Sequence, residues 1–205
     1  MFIGIIPGAF PVESLEKKQD FLSFWVQLPS ELLHDLQIGA SVAIDGVCLT
    51  VVAVQEHAAK FDVMGQTLLT TTLADLQEHD LVHVERSVHF GAEIGGHILS
   101  GHIDAKGTVV AVETPPNNYV MTVEIPKPLH PYIFQKGFLA LHGASLTIAD
   151  WNEQKGHATF YLIPETVLRT TFGKKRVGDD VNIEIDRHTQ AIVDTVKRTL
   201  ASLQR

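Results

Sequence analysis

The side chains best suited to chemistry occur in two short segments of the sequence. Cys48, the only cysteine among the 205 residues, lies in the segment GVCLT, and His102 lies in the segment GGHILSGHID. Histidine titrates closer to neutral pH than any other side chain, so His102 is a candidate for proton transfer. The thiol of Cys48 can move a proton or add to an electrophile, and Gly46 beside it lets the backbone approach a ligand.

Both residues also have a structural interpretation. The chain has eleven histidines, and most are expected at the surface. A free cysteine is most often a small buried apolar side chain. A single cysteine cannot form an intrachain disulfide, and no spacing of Cys and His is typical of zinc, so no metal site is predicted.

The sequence repeats itself once. At an offset of 97, ASVAIDGVCLTV (40–51) matches GFLALHGASLTI (137–148). At an offset of 99, FDVMGQTLLTTTL (61–73) matches FYLIPETVLRTTF (160–172), and DLVHVE (80–85) matches DDVNIE (179–184). Small β-proteins often share alternating apolar residues and glycine turns. Ordered matches at a nearly constant offset instead favour two tandem copies of one fold, residues 1–96 and 97–187.

The repeat gives Cys48 a counterpart in the second copy. Ser145 occupies the matched position, so one copy presents a thiol where the other presents a hydroxyl. Asp186 ends the segment VNIEID, where the first copy has Ser87. A carboxylate there can pair with a His or a Ser, although a turn residue at a strand end is an equally simple interpretation.

Each copy has the pattern of a small β-domain. Short segments rich in Val and Ile, such as SVAIDG and LVHVERS, are bounded by Gly, Asp or Asn and predict strands. PSELLHDL and PKPLHPYIFQ follow a proline and predict one short helix in each copy. About six strands and one helix indicate a closed barrel. Residues 188–205 carry apolar residues at helical spacing and predict an amphipathic helix, which buries its stripe on its own domain or on a neighbouring chain.

The composition excludes several classes of function. The net charge is −8, which argues against general binding to nucleic acid or to an anionic membrane. No apolar window is long enough to span a bilayer, and the first residues, MFIGIIPGAFPVES, lack the pattern of an export signal. We therefore expect a cytoplasmic protein.

The motifs together resemble riboflavin synthase. They are MFxGI at the start, DGVCLTV, VERSVHFGAEIGGHILSGHID, HGASLTI, LIPETVLRTTFGKK and VNIEID, in the order of that family and with its internal duplication. The resemblance implies an all-β chain of two tandem six-stranded Greek-key barrels and a C-terminal helix that gathers three chains. It also implies that each active site lies between the N-terminal barrel of one chain and the C-terminal barrel of another.

The resemblance implies a reaction as well. Two molecules of 6,7-dimethyl-8-ribityllumazine exchange a four-carbon unit and give riboflavin and 5-amino-6-ribitylaminouracil. No cofactor is needed, because one lumazine is a carbon acid at its C7 methyl and the other accepts a nucleophile at C7. Lumazine synthase is the protein partner that the resemblance suggests. The protein must hold two flat rings together and move protons, and both effects are large contributions to catalysis.

The resemblance places the candidate residues near the lumazine pockets. His102, Cys48, Ser145 and Asp186 are the catalytic candidates. The candidates for substrate binding are Phe2, Gly4, Ser41, Thr50, Gln66, Thr67, His97, Lys136, Thr147, Ile163, Glu165 and Thr166. For the four matched threonines, β-propensity is a sufficient alternative reason, and His97 also suits a purely supporting role between the barrels.

The sequence departs from the family pattern near the expected pockets. Ile3 replaces a common Thr, Gly65 and Gln66 replace Lys and Glu of a KET motif, and His142 replaces an Asp. These changes favour, as an alternative, a relative that binds lumazine or flavin without catalysis and serves as an optical antenna. Such proteins lose the Cys, His and Ser that this chain keeps. A scaffolding protein with empty pockets is the third alternative.

Overall fold

The computed structural model describes residues 1–116 and 118–203. The first half of the chain has six strands: β1 (Gly8–Lys18), β2 (Phe21–Gln27), β3 (Ser41–Ile44), β4 (Val47–Val54), β5 (Ala58–Met64) and β6 (Leu81–Arg86). They form a closed antiparallel barrel in the order β1-β2-β5-β4-β3-β6. Closure gives every strand two hydrogen-bonded neighbours, so the barrel has no free strand edge.

The second half has seven strands: β7 (Ala105–Glu113), β8 (Tyr119–Glu124), β9 (Phe138–Leu141), β10 (Ala144–Thr147), β11 (Asp150–Asn152), β12 (His157–Leu162) and β13 (Asp180–Ile185). Their order is β10-β9-β13-β7-β8-β12-β11, which repeats the order of the first half with β10 and β11 together in the place of β4. Six strands per copy is therefore confirmed for the first half, and the second half has one more.

The additional strand arises where the counterpart of β4 is divided. The backbone N–H of Ile148 donates to Gly137 on one side at 2.9 Å, and that of Ala149 donates to Thr159 on the other side at 2.8 Å. In β4 the same transition is a bulge between Val51 and Ala53, which keeps one continuous strand. The chain thus changes its hydrogen-bonding partner at this point in both halves, abruptly in the second and gradually in the first.

The short helices differ in part from the sequence prediction. PSELLHDL contains α1 (Ser30–Leu33), as predicted, but the segment around Lys127–Tyr132 is a 3₁₀ helix. Prolines at positions 128 and 131 lack the N–H that an α-helix needs. Two further helices, α2 (Gly65–Thr70) and α3 (Pro164–Arg169), follow β5 and β12 at matched positions and were not predicted.

The terminal helix α4 (Arg187–Leu203) begins one residue before the predicted boundary. It is anchored by the hydroxyl of Tyr132, which donates to Asp194 at 2.7 Å. Its apolar stripe remains uncovered in the single chain, with 52–77% exposure at Ile192, Val196, Leu200 and Leu203. Residues 204 and 205 of the predicted helix lie outside the described residues. In the described part of the chain, no helix combines the length and apolarity needed to cross a membrane.

Each half has its own apolar core, and the two halves meet at paired turns. The first core is built around Phe24 and Phe61, and the second around Met121 and Phe160. The turns are Asp45–Gly46 and His142–Gly143, in which both residues have positive φ, as a type I′ hairpin turn requires. A Cβ atom on Gly46 would lie 2.5 Å from the backbone nitrogen of Gly143, so only glycine fits at this contact.

A buried histidine joins the halves beside these turns. His83, on β6, lies with Nδ1 2.9 Å from the carbonyl oxygen of His142, and its Nε2 accepts the backbone N–H of Thr171 at 2.8 Å. Because Nε2 accepts, the proton resides on Nδ1 and the ring is neutral. Protonation would replace the acceptor by a second donor and break the hydrogen bond from the backbone N–H of Thr171, while the bond to His142 would remain.

Asn182, the repeat counterpart of His83, makes the reciprocal contact. Its side-chain N–H donates to the carbonyl oxygen of Asp45 at 2.9 Å, and its Oδ1 accepts the backbone N–H of Thr72 at 2.8 Å. Each half therefore supplies one side chain with one donor and one acceptor to the other half. Two different residue types fill the same structural role.

We predict that the His83 contact makes stability depend on pH. Burial lowers the pKa of His83 to about 4 from 6.5, so its contribution is complete above pH 6.5 and is lost as the pH falls toward 4. Between pH 7 and pH 5 the wild type should lose about 1–2 kcal/mol more unfolding free energy than His83→Asn, measured by urea denaturation. His83→Leu should cost about 2–4 kcal/mol at pH 7, since it leaves two buried groups unpaired. Equal pH slopes in wild type and His83→Asn would contradict the prediction.

Candidate functional site

Two short backbone segments cross between the halves and position the candidate site. The first arm (residues 2–4) and the second arm (residues 99–101) are repeat counterparts. Phe2 and Leu99 pair as an antiparallel bridge, with both N–H···O distances 2.9 Å. Both side chains are buried, together with Ala43 and Ala140, in a small apolar cluster between the barrels.

Because of this pairing, each arm lies on the barrel of the other half. The backbone N–H of Cys48 donates to Gly101 at 2.8 Å, and that of Ser145 donates to Gly4 at 2.9 Å. The two arm glycines have positive φ, and a Cβ atom on either would lie within 2.6 Å of the facing residue's backbone or side chain. The structure therefore brings Phe2 and Gly4, two predicted site residues, to the positions beside Cys48 and Ser145.

A buried glutamate holds each arm. Glu85 on β6 accepts the backbone N–H groups of Ile3 at 2.8 Å and of Gly4 at 3.1 Å. Glu184 on β13 accepts those of Ser100 at 2.7 Å and Gly101 at 3.0 Å. Burial raises the pKa of Glu85 to about 7, against the lowering effect of the N–H donors.

Sequence reasoning missed both glutamates. They occupy the same place in the matched segments DLVHVE and DDVNIE, and both follow an apolar residue near the end of a buried strand. A charged residue at a buried position in both copies was the available signal, since such residues are rarely buried without a partner.

The outer face of β3 and β4 carries three of the predicted residues. Ser41 lies opposite Thr50, and Ala43 lies opposite Cys48. Directly opposite residues and residues two apart share one face of a sheet, so Ser41, Cys48 and Thr50 point to the same side. The alternate residues of these strands belong to the first core. We call this set of three the first face.

The second face is the matched surface of β9 and β10, with Phe138, Ser145 and Thr147. Phe138 lies opposite Thr147, and Ala140 lies opposite Ser145. The Nδ1 atom of His97 lies 2.6 Å from the Ser145 hydroxyl, and the His97 ring stacks on Phe138 with centroids 5.2 Å apart. The second face therefore joins a hydroxyl, an imidazole and an aromatic ring.

The environment of His97 favours the neutral form of its imidazole. Burial lowers the pKa of His97, while the nearby carboxylate of Asp186 acts in the opposite direction. A neutral imidazole can accept the proton of the Ser145 hydroxyl at Nδ1. The Nε2 atom is also buried and makes no hydrogen bond within the described residues.

Asp186 has a structural role in addition to its place near His97. It stands immediately before α4, and its carboxylate accepts the backbone N–H groups of His188 at 3.2 Å and Thr189 at 3.0 Å. This is the arrangement of a helix N-cap. Burial alone would raise the pKa of Asp186, but the hydrogen bonds from Thr189 and His188 outweigh it, and the pKa is lowered.

His102 and Lys136 are exposed. The carbonyl oxygen of His102 accepts from Arg187 at 2.6 Å, and within the described residues its imidazole has no hydrogen bond. Lys136 has a φ of 66°, in the left-handed region, at the position where the first half has Gly39 with a φ of 90°. A lysine in this conformation is uncommon, which favours a functional role for the side chain at this position.

The other predicted binding residues come later in each half of the chain than the strands of its face. Within the described residues, no hydrogen bond joins them to Cys48 or Ser145. Gln66 and Thr67 lie in the first turn of α2, and Glu165 and Thr166 lie in the first turn of α3. Ile163, directly before α3, is exposed. The sequence prediction that they bind substrate is not tested by these contacts.

Each face is exposed at one end, at Thr50 and Thr147, while Cys48 and Ser145 are partly buried beneath the arms. Clefts of about 630, 1010 and 420 Å³ lie elsewhere on the described residues, and their linings include none of the predicted site residues. The cleft of about 1010 Å³ lies between α1, α3 and β1, and includes Pro29, Phe10 and Leu168. Among the described residues, no group of three or more His, Cys, Asp or Glu side chains is arranged to hold a metal ion.

Comparisons with known proteins agree with the repeat. The family model described as the lumazine binding domain matches twice, over residues 3–87 and 100–186. The riboflavin synthase of Escherichia coli (strain K12) is 44% identical over 203 residues, which cover 98% of this chain and 94% of that protein. The riboflavin synthase of Chlamydia pneumoniae is 42% identical over 204 residues, with 98% of each chain covered.

Solved structures of LumP share the fold. A crystal structure of LumP complexed with riboflavin has a TM-score of 0.85 at 26% identity, and covers 91% of this chain and 100% of LumP. A second, of LumP complexed with 6,7-dimethyl-8-(1'-D-ribityl) lumazine, has a TM-score of 0.81 at 25% identity, with 90% and 98% covered. Identity to these proteins is much lower than to the two riboflavin synthases.

We predict that the arm glycine facing Cys48 tolerates no side chain. In Gly101→Ala a new Cβ would lie 2.5 Å from that of Cys48, so the unfolding free energy should fall by about 2–4 kcal/mol. The Cys48 thiol should also react faster with an aromatic disulfide reagent, because the arm is displaced. Gly91→Ala is the matched control: its φ is also positive, but no atom lies within 4 Å, and we expect a loss of about 1–2 kcal/mol without a change in thiol reactivity. Identical thiol rates in wild type and Gly101→Ala would show that the arm does not cover Cys48.

Proposed function

The chain belongs to the lumazine-binding family of riboflavin synthases, and we propose that its first and second faces are the two halves of the lumazine site. The reaction is the transfer of a four-carbon unit between two molecules of 6,7-dimethyl-8-ribityllumazine, with riboflavin and 5-amino-6-ribitylaminouracil as products. The observation that carries the proposal is the matched geometry of Cys48 and Ser145. Each lies on an outer barrel face under an arm of the other half, so one fold presents two similar sites for two identical substrates.

The proposed roles follow from the chemistry of the side chains. One lumazine must lose a proton from its C7 methyl group, and the other must accept a nucleophile at C7. The Cys48 thiol and the Ser145 hydroxyl are the candidate nucleophiles, one on each face. His97 is 2.6 Å from Ser145 and can take its proton. His102 is exposed at the end of the second arm, where it can exchange protons with a substrate on the first face.

Several properties of the faces support substrate binding. Thr50 and Thr147 are exposed at matched positions and can offer hydroxyls to polar edges of a ring or to a ribityl chain. Ser41, Gln66, Thr67, Lys136, Glu165 and Thr166 are the further polar residues that we assign to binding, and Ile163 is the apolar one. Asp186 is assigned to the electrostatics of His97.

We further propose that the working site forms between chains. Each face is exposed at its threonine, Thr50 or Thr147, and two flat rings must be shielded from water on both sides for a reactive intermediate to survive. The uncovered stripe of α4 and the exposed Phe138 and Tyr161 supply apolar surface for such contacts. We propose a homotrimer joined through α4. Association with lumazine synthase and a cytoplasmic location stay predictions.

Non-catalytic binding of lumazine or flavin is the second candidate. The observation that favours it is the likeness of the fold to LumP, which has been solved with riboflavin and with the lumazine. The retention of Cys48, Ser145 and His102 and the higher identity to riboflavin synthases favour the enzyme.

Incubation of the purified protein with the lumazine tests the function. We expect the absorbance of riboflavin to appear with one riboflavin formed for every two lumazines consumed. A shift in ligand fluorescence without riboflavin would favour the binding protein. No binding at all would leave a scaffolding role and contradict both proposals.

Removal of residues 188–205 tests the role of α4. We expect the truncated chain to keep the circular dichroism of the β-structure, because the described residues of this segment contribute to neither core, and to lose assembly and nearly all turnover. Sedimentation gives the oligomeric state, and riboflavin absorbance gives the rate. The substitution Lys155→Glu, at an exposed residue in the turn between β11 and β12, lowers the net charge by two, as the deletion does, and is the control for a change in surface charge. Full turnover by a truncated monomer would rule out a site shared between chains.

A further inference from the structure

We infer that Phe138 is a positioning residue for His97: its ring covers the imidazole and holds it in the hydrogen bond with Ser145. The part of this inference that concerns the rate of turnover rests on the proposed function; the part that concerns the pKa of His97 does not. Phe138 was not a site candidate from the sequence, although it lies in the matched segment GFLALHGASLTI (137–148).

The geometry of the contact carries the inference. The rings of Phe138 and His97 are almost parallel, at 16°, with centroids 5.2 Å apart. Phe138 is 47% exposed, although it belongs to a strand whose other residues are fully buried. One side of its ring therefore lies against the imidazole while the rest is open. Offset parallel contacts of this kind fix the orientation of both rings.

The covered imidazole is placed for a specific hydrogen bond. His97 is 7% exposed, and its Nδ1 atom reaches the Ser145 hydroxyl at 2.6 Å. Both Phe138 and Ser145 stand on the second face, one on each of two paired strands. The ring and the hydroxyl therefore restrict the imidazole from two directions, and a shift of Phe138 would free the histidine to rotate.

The repeat shows that this arrangement exists in one half only. The counterpart of Phe138 is Ser41, so the first face has no aromatic ring at the matched position. Among the described residues around the two faces, the contact of a phenylalanine ring with an imidazole is found on the second face, at Phe138 and His97. This asymmetry is expected if the ring serves the histidine, and unnecessary if the ring only fills space on the barrel.

Besides the Phe138 ring, two titratable groups lie near His97. The carboxylate of Asp186, before α4, favours the protonated imidazole, and His188, in the first turn of α4, opposes it. Burial outweighs the carboxylate and lowers the pKa of His97. Removal of the Phe138 ring admits water to the imidazole, so the pKa should rise toward its ordinary range.

The experiment is a proton NMR titration of the histidine ring signals in the full chain. The His97 signal is assigned by its loss in His97→Gln. In Phe138→Ser, which introduces the residue of the first half, we expect the midpoint of His97 to rise by at least about half a pH unit. Phe138→Leu retains an apolar cover and should keep the midpoint close to that of wild type. If Phe138→Ser does not fold, Phe138→Ala replaces it.

Phe134→Ser is the matched control, because Phe134 is also about half exposed, at 50%, and belongs to the same half. The titration midpoint of His97 in Phe134→Ser should equal that in the wild type. In turnover, Phe138→Ser should lower kcat about tenfold at the acid end of the pH profile and much less at the alkaline end, with a smaller change in KM.

An unchanged His97 midpoint in Phe138→Ser would overturn the inference, and so would a pH-independent rise in KM alone, which would assign Phe138 to substrate contact. If the wild type forms no riboflavin, the proposed function fails, but the NMR titration still decides the role of Phe138.

Discussion

Two backbone hydrogen bonds between Phe2 and Leu99 determine the geometry of the candidate site. They bind the start of the chain to the segment between the barrels, and they do so inside an apolar cluster where water cannot compete. A typical hydrogen bond adds only about 0.5–1.5 kcal/mol to stability, but an unpaired buried group costs more. The arms therefore have one favourable arrangement, in which each lies on the opposite barrel and presents a glycine carbonyl to Cys48 or Ser145.

Duplication explains why the frame is symmetric while the chemistry is not. Glu85 and Glu184 hold the arms in the same way, and His83 and Asn182 join the halves by reciprocal bonds. At the faces the copies diverge: Cys48 in the first copy corresponds to Ser145 in the second, and Ser41 on the first face corresponds to Phe138 on the second. Residues that carry the frame must keep donors and acceptors in place. Residues at the faces are free to differ, and the two substrate molecules of the proposed reaction undergo different changes.

The repeat and the strand pattern made much of the fold predictable. Period-two apolar residues and glycine turns place the strands, and Ser145 is identified by its match with Cys48. The division of β10 from β11 was not predictable, because it depends on which neighbour each N–H of residues 148 and 149 meets. The contact between His97 and Ser145 also required the structure, since it joins residues 48 positions apart through the crossing of an arm. The repeat aligns Phe138 with Ser41, but only the structure shows that its ring lies on His97.

The central claim is that a first face from one chain and a second face from another chain form one lumazine site. The most direct measurement is the riboflavin-forming activity of a mixture of Thr50→Arg and Thr147→Arg, each of which blocks one exposed face at matched positions. Each variant alone should be inactive. After exchange of chains at equal concentration, random assembly should restore about a quarter of the wild-type activity, because one site in four combines two intact faces. Two inactive variants that stay inactive after proven exchange would contradict the account.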